Sequence, residues 1–309
     1  MLTADDRRAC IPQKEIIMSI EEGSGTNRRL LLKTSLATMA ALGTGGVASI
    51  ANASALGSMS LDQEILNFAL NLEYLEAEYY LRAVYGTGLS GDETSGQGTQ
   101  GTVTGGGMVP FKSDAVRSYA TEIANDERDH VNYLRNALGS ARVAEPSIDL
   151  KNSFNTLAKA AGLGDTFDPF ASEENFLLGA FVFEDVGVTA YHGAASLITN
   201  KDVLNSAAGI LAVEAYHAGI VRLLCYQAGL IRPADKISNL RQKLSKEAGS
   251  KGWTDQGIFF EGKVNLVPTH PKSSIAFERN TDEVLNIVYA GGSSGNFGFF
   301  PDKLNGDIH

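Results

Sequence analysis

Cysteine is nearly missing from this 309-residue chain, with Cys10 and Cys225 the two examples. If the N-terminal segment is removed, as argued below, Cys225 stands alone, so no intrachain disulfide supports the fold and no cysteine-based zinc ribbon is available. Basic residues are also in the minority, 26 Lys and Arg against 36 Asp and Glu. Nucleic acid is therefore not an expected partner, because phosphate binding requires a basic face. The sequence contains no phosphate loop and no Ser-His-Asp arrangement, and no stable membrane span is expected in the mature chain. Histidine is scarce, at positions 130, 192, 217, 270 and 309.

Two of those five histidines follow a glutamate by three residues. Along the chain the order is Glu73, then Glu127 with His130, then Glu184, then Glu214 with His217. Residues three apart on a helix share a face, so each Glu-x-x-His pair can offer an oxygen and an imidazole nitrogen to one cation. A lone Glu from two helices and Glu-x-x-His from two more is the ligand set of a two-metal site in a four-helix bundle.

The candidate ligands lie on apolar stripes. These read Ile65, Ala69, Glu73, Ala77, Tyr80; then Val116, Ala120, Ile123, Glu127, His130, Leu134, Leu138; then Leu177, Ala180, Phe181, Glu184, Val188, Tyr191; and Ala207, Ile210, Glu214, His217, Val221, Leu224. Burying four carboxylates and two imidazoles without partners would cost several kcal/mol or more. Cations compensate that cost; the alternative is a set of buried polar groups bonded to one another.

Coarse boundaries follow from turn and cap signals. A first helix starts at Ser60 and ends near Gly86, and a Gly- and Thr-rich loop over 86–112 has too little apolar content to fold alone. The second helix runs from Ser113 to Leu138 and stops at Gly139. A crossover over 139–172 contains a short helix at Asn155–Ala161. The third helix covers Ser172–Thr199 and the fourth Asp202–Ala228, with Gly229 and Pro233 ending the bundle. A helix of 26 residues is about 39 Å long, and more than 30 extended residues can span it. The tail holds a polar helix at Ile237–Ala248, a loop with Trp253, Phe259 and Phe260, a helix capped by Thr281, and the segment Asn296-Phe297-Gly298-Phe299-Phe300-Pro301, read as an anchor onto the bundle.

The N-terminus reads as an export segment. Asn27-Arg28-Arg29-Leu30-Leu31-Leu32-Lys33 resembles a twin-arginine signal, followed by a mildly apolar run and the small-residue pattern Ala51-Asn52-Ala53; translation starting at Met18 would give it a more usual length. The expected division is 1–53 signal region, 54–230 four-helix bundle and 231–309 C-terminal extension. Cleavage leaves 20 basic and 31 acidic residues, a net charge of about −11. The protein is expected outside the cytoplasm, periplasmic or extracellular. Twin-arginine export carries folded proteins, which is compatible with a metal loaded before export.

Asn71-Leu72-Glu73 and Asp126-Glu127-Arg128-Asp129-His130 resemble the first and second helices of ferritin-like proteins, and Glu214-x-x-His217 the fourth-helix motif of bacterioferritins, rubrerythrins and di-iron oxidases. Three stretches, Leu72 to Glu78, Phe183 to His192 and Val284 to Tyr289, are similar to the bacterial and plant desiccation-related, ferritin-like domain proteins. The resemblance implies an all-α, ferritin-like bundle, with Glu127 and Glu214 bridging two metals and Glu73 and Glu184 terminal. It also implies that Asp126 accepts a proton from His217, while Val213 leaves His130 without such a carboxylate; otherwise Asp126 is a solvated helix residue.

Tyr80 and Tyr191 lie two turns from a candidate ligand, and aromatic packing is favoured over a hydrogen bond to the site. His192 is too far from Glu184 to join the same pair, and Glu76 is read as an exposed helix carboxylate rather than a seventh ligand. Oxygen and nitrogen donors without thiolate suit two iron or two manganese ions. The expectation is an exported di-metal protein that reacts with dioxygen or peroxide. The alternatives are a protective protein whose metals only stabilise the bundle and, less favoured, iron storage. Partners are metal ions and dioxygen or peroxide, with a homo-oligomer left open.

Overall fold

The computed structural model describes residues 48–292 and 298–309. Arg28 and Arg29, and the tail residues Asn296 and Phe297, lie outside the described residues. Eight helices are described, four of which form the bundle: α1 (Ala48–Tyr85), α3 (Asp114–Leu138), α5 (Glu173–Ala195) and α6 (Lys201–Gln227). Among the described residues the architecture is all-α apart from two small two-stranded pairings and an isolated bridge between Gln97 and Val143.

Local signals explain most boundaries. Ser113 and Ser172 accept hydrogen bonds from the backbone amides of Val116 and Asn175, capping α3 and α5. Asn200 does the same for α6. Gly139 ends α3 at φ 57°, a conformation costly for any residue with a Cβ. Two expectations are corrected. α1 begins at Ala48, so Ser60 lies within it rather than capping it. Asn280, not Thr281, caps the last helix, α8 (Thr281–Val288), through a reciprocal capping box with Glu283.

α5 and α6 are joined by 196–200, which makes them antiparallel neighbours; Asp62 of α1 holds that turn by accepting from the amides of Thr199 and Asn200 at 2.9 and 2.8 Å. α3 connects to α5 through the long crossover, which contains β2 (Ile148–Asp149) and α4 (Asn152–Ala160). The Gly-rich loop is not loose. It contains the short helix α2 (Gly91–Thr94), and β1 (Val103–Thr104) pairs in parallel with β2. Its glycines permit this approach: a Cβ at Gly101 would meet the backbone of Pro146 and Ser147 at about 2.0–2.5 Å. The loop lacks the apolar residues to fold alone but has the backbone to dock.

The extension packs against the bundle. α7 (Ile231–Glu247) follows Gly229 closely, and Pro233 sits in its first turn, where the missing N–H costs no helical bond. A hairpin of β3 (Phe259–Phe260) and β4 (Lys263–Val264) follows. Phe299 and Phe300 are fully buried, and Phe299 packs edge-on against Phe154 and Phe183. Asn305 reaches Asn71 on α1, Thr99 in the Gly-rich loop and Ala144 in the crossover. Trp253 and Phe259 remain exposed.

α6 is long and apolar enough to cross a membrane by length and composition. Its inward face carries Glu214, His217 and Arg222, all buried in the protein.

Candidate metal centre

All six predicted ligands are buried and converge at mid-bundle. Glu73, Glu127, Glu184 and Glu214 are 0–1 % exposed, His217 3 % and His130 9 %. His130 Nδ1 lies 3.2 Å from Glu73 Oε2, 3.5 Å from Glu127 Oε2 and 3.8 Å from Glu214 Oε1. His217 Nδ1 lies 3.0 Å from Glu127 Oε1 and 3.7 Å from Glu184 Oε2. The donors fall into two groups, Glu73, Glu127, His130 and Glu214, and Glu127, Glu184 and His217, each with atoms within 4.8 Å of one another. Glu127 belongs to both groups, as a bridging carboxylate would. Glu214, also expected to bridge, belongs to the first alone.

Eight atoms of this cluster are buried without a hydrogen-bond partner: Glu73 Oε2, both oxygens of Glu127, His130 Nδ1, Glu184 Oε2, both oxygens of Glu214 and His217 Nδ1. Buried polar atoms are nearly always satisfied, so eight orphans at one place point to a missing cationic partner. Donors sharing a cation at bond lengths of about 2.1 Å sit about 3 Å apart, close to the spacing seen here. The donor set fits hard or borderline cations such as iron or manganese.

The electrostatics of the cluster agree. Burial pushes Glu73 up to about 7 and Glu184 up to about 8, and burial with neighbouring carboxylates holds Glu214 well above the usual range. Burial alone would lower the two histidines, but the adjacent carboxylates outweigh it and raise His130 to about 11 and His217 to about 10. Burial works against Glu127 as well, yet the two adjacent imidazoles outweigh it and bring Glu127 below its ordinary value. The pocket retains protons because it has more negative charge than it can bury.

The neighbours are more engaged than expected. Tyr80 on α1 donates its hydroxyl to Glu184 Oε1 on α5, and Tyr191 on α5 donates to Glu73 Oε1 on α1. The two bonds are mirror images across the bundle and leave one oxygen of each carboxylate facing the centre. Asp126 Oδ2 is 3.0 Å from His217 Nε2, as anticipated, while its side chain stays 41 % exposed. Glu76 is not an exposed helix residue: it is 6 % exposed, and burial together with Glu127, Glu184 and Glu73 holds it well above its ordinary value. His192 lies away from the cluster, its Nδ1 3.0 Å from the carbonyl of Phe277. Cys225 is buried, with its thiol pushed up to about 12 by burial.

Three features have no counterpart in the sequence reading. Gly187 faces Glu214, and a Cβ there would stand 2.2 Å from Glu214 Oε2. Asp185, the residue after Glu184, receives Arg222 Nη1 and Arg241 Nη2 at 2.7 Å each. Arg241 and Arg279 in turn clasp Asp255. These five charged residues are all buried and tie α5 and α6 of the bundle to α7 and the rest of the extension. The available signal was Arg241, which sits on α7 in the same stripe as Ile237 and Leu244.

The ferritin-like domain family matches residues 61–227, the stretch that contains all six converging side chains. The chain belongs to the ferritin-like superfamily. Within it the desiccation-related group is represented by desiccation-related protein PCC13-62 of Craterostigma plantagineum, 32 % identical over 251 residues, covering 74 % of this chain and 78 % of that protein. Ferritin-like catalase Nec2 of Nesocodon mauritianus is 26 % identical over 268 residues, covering 80 % and 84 %. No solved structure matches the chain significantly.

Proposed function

We propose that this ferritin-like protein is exported through the twin-arginine route and uses two iron or manganese ions, held by Glu73, Glu127, His130, Glu184, Glu214 and His217, to consume hydrogen peroxide. The observation that carries this reading is the convergence of eight unpartnered buried donor atoms. The relative named a ferritin-like catalase favours peroxide over dioxygen as the substrate.

In the dismutation of peroxide, one molecule takes up two electrons and two protons to give two waters, and a second returns both pairs to give dioxygen. A bound metal pair supplies the two-electron store. The chain positions the donors and handles protons. Glu127, reached by both imidazoles, holds the two donor groups in register. The hydroxyls of Tyr80 and Tyr191 fix the orientation of Glu184 and Glu73 and keep a proton beside each carboxylate. Asp126 holds Nε2 of His217 and thereby turns Nδ1 inward. The apolar stripes around the cluster keep water away from it.

Oxygen evolution from peroxide by protein loaded with manganese(II) or iron(II) tests the reading. Turnover well above that of the free ions is expected. Two bound metals without such turnover would instead favour the second reading, a protective protein stabilised by its metals, which the similarity to a desiccation-related protein supports.

A further inference from the structure

The two halves of the bundle repeat one plan. Glu73 and Tyr80 on α1 correspond to Glu184 and Tyr191 on α5, and Glu127-x-x-His130 on α3 to Glu214-x-x-His217 on α6. The donor groups are nevertheless unequal, four residues around His130 but three around His217. The repeat also breaks three residues after each lone glutamate, where α1 has Glu76 and α5 has Gly187.

These two irregularities meet in space. A Cβ on Gly187 would lie 3.6 Å from Glu76 Oε1 as well as 2.2 Å from Glu214 Oε2. The Glu76 carboxylate therefore reaches across the bundle into room left by a missing side chain on α5. More than nine-tenths buried, it has no hydrogen bond or ion pair among the described residues. It shares that room with Glu214 Oε2 and so faces the donor cluster. A fifth carboxylate has been placed among four others with no hydrogen bond or ion pair of its own, and Gly187 provides the space that lets it approach.

We propose that Glu76 is a seventh protein donor to the metal pair, beside Glu73, Glu127, His130, Glu184, Glu214 and His217. This rests on the di-metal reading. Five carboxylates then face the pair, one more negative charge than two divalent cations balance. The surplus favours a higher metal charge at this centre than the six-residue set alone would.

The test is anaerobic binding of manganese(II), and in parallel iron(II), to the full chain and to Glu76→Ala and Glu76→Gln, with elemental analysis and, for manganese, electron paramagnetic resonance of the free ion. Wild type is expected to bind two equivalents. Glu76→Ala should keep one at wild-type affinity and weaken the other by about ten-fold or more, a loss at least as large as that from removing an outer-shell partner. Glu76→Gln, which retains an oxygen, should fall between. Unchanged affinity for both equivalents in Glu76→Ala overturns the assignment of Glu76 alone, whereas a wild type that holds neither metal overturns the di-metal reading with it. Should the variants not fold, as judged by helical circular dichroism, a metal-loaded wild-type crystal with an anomalous map decides. A Glu76 oxygen within bonding distance of an ion supports the proposal, and a carboxylate turned away from both refutes it.

Discussion

His217 is held at both ring nitrogens, Nδ1 toward Glu127 and Glu184 and Nε2 toward Asp126, whereas no protein group among the described residues engages Nε2 of His130. A carboxylate on the far nitrogen fixes the tautomer and raises the basicity of the near one. If the centre turns over peroxide, Asp126→Asn should slow oxygen evolution by about ten-fold or more while both metals stay bound, because such partners tune the ligand as well as its affinity. Unchanged turnover would remove Asp126 from the mechanism. Glu127 is the opposite case, a residue on which both groups depend. Glu127→Ala should lower occupancy at both positions and Glu214→Ala chiefly at one, read by elemental analysis after gel filtration. Two retained equivalents in Glu127→Ala would show that the bridging residue is misassigned.

The ligand helices were readable because an interruption of an apolar stripe by Glu-x-x-His is a pattern of type and spacing, and both survive translation into a face of α3 or α6. Glu76 and Gly187 were not readable in the same way. Glu76 sits in a run of charged and aromatic residues on α1 whose surroundings come from three other helices, and Gly187 acquires meaning only against Glu214. The same holds for the hydroxyls of Tyr80 and Tyr191, which looked like packing because each partner lies more than a hundred residues away. The charged clasp between α5 and the extension was hidden for that reason too. Asp185 is the carboxylate that pairs with Arg222, and both are buried. Removing one member of a buried pair leaves an uncompensated charge, so Asp185→Asn is expected to cost about 3–5 kcal/mol in urea unfolding. A loss below about 1 kcal/mol, the size of an exposed pair, would show that the clasp is solvated in solution.

For the molecule as a whole, the proposed export and the proposed metal chemistry make separate demands. Arg28→Lys with Arg29→Lys keeps the positive charge but removes the guanidinium pair, and should stop export by the twin-arginine route. Normal appearance outside the cytoplasm, followed by fractionation and immunoblotting, would overturn the twin-arginine proposal. The buried cluster in turn governs how stability depends on pH. In metal-free protein Glu73 and Glu184 are raised by burial from 4.5 to about 7 and about 8. His217 and His130, despite burial, are raised from 6.5 to about 10 and about 11 by their carboxylate neighbours. A group whose pKa is higher in the folded state binds more protons there than when unfolded, so its contribution is full below the unfolded pKa and is lost as pH rises through the folded one. The two glutamate contributions therefore fall from about pH 5 to pH 8, and the two histidine contributions begin to fall in the same direction above their unfolded 6.5. Glu127, shifted downward, acts only below its ordinary 4.5 and does not oppose them in that window. Metal binding requires the same groups without their protons and releases those protons, so stabilisation by metal grows as pH rises. Chelator-treated protein is expected to melt at a progressively lower temperature from about pH 5 to pH 8, while loaded protein holds its melting temperature and the gap between them widens. A metal-free melting temperature that rises over this range, or a gap that stays constant, would mean that the cluster does not carry the buried protons that its geometry requires.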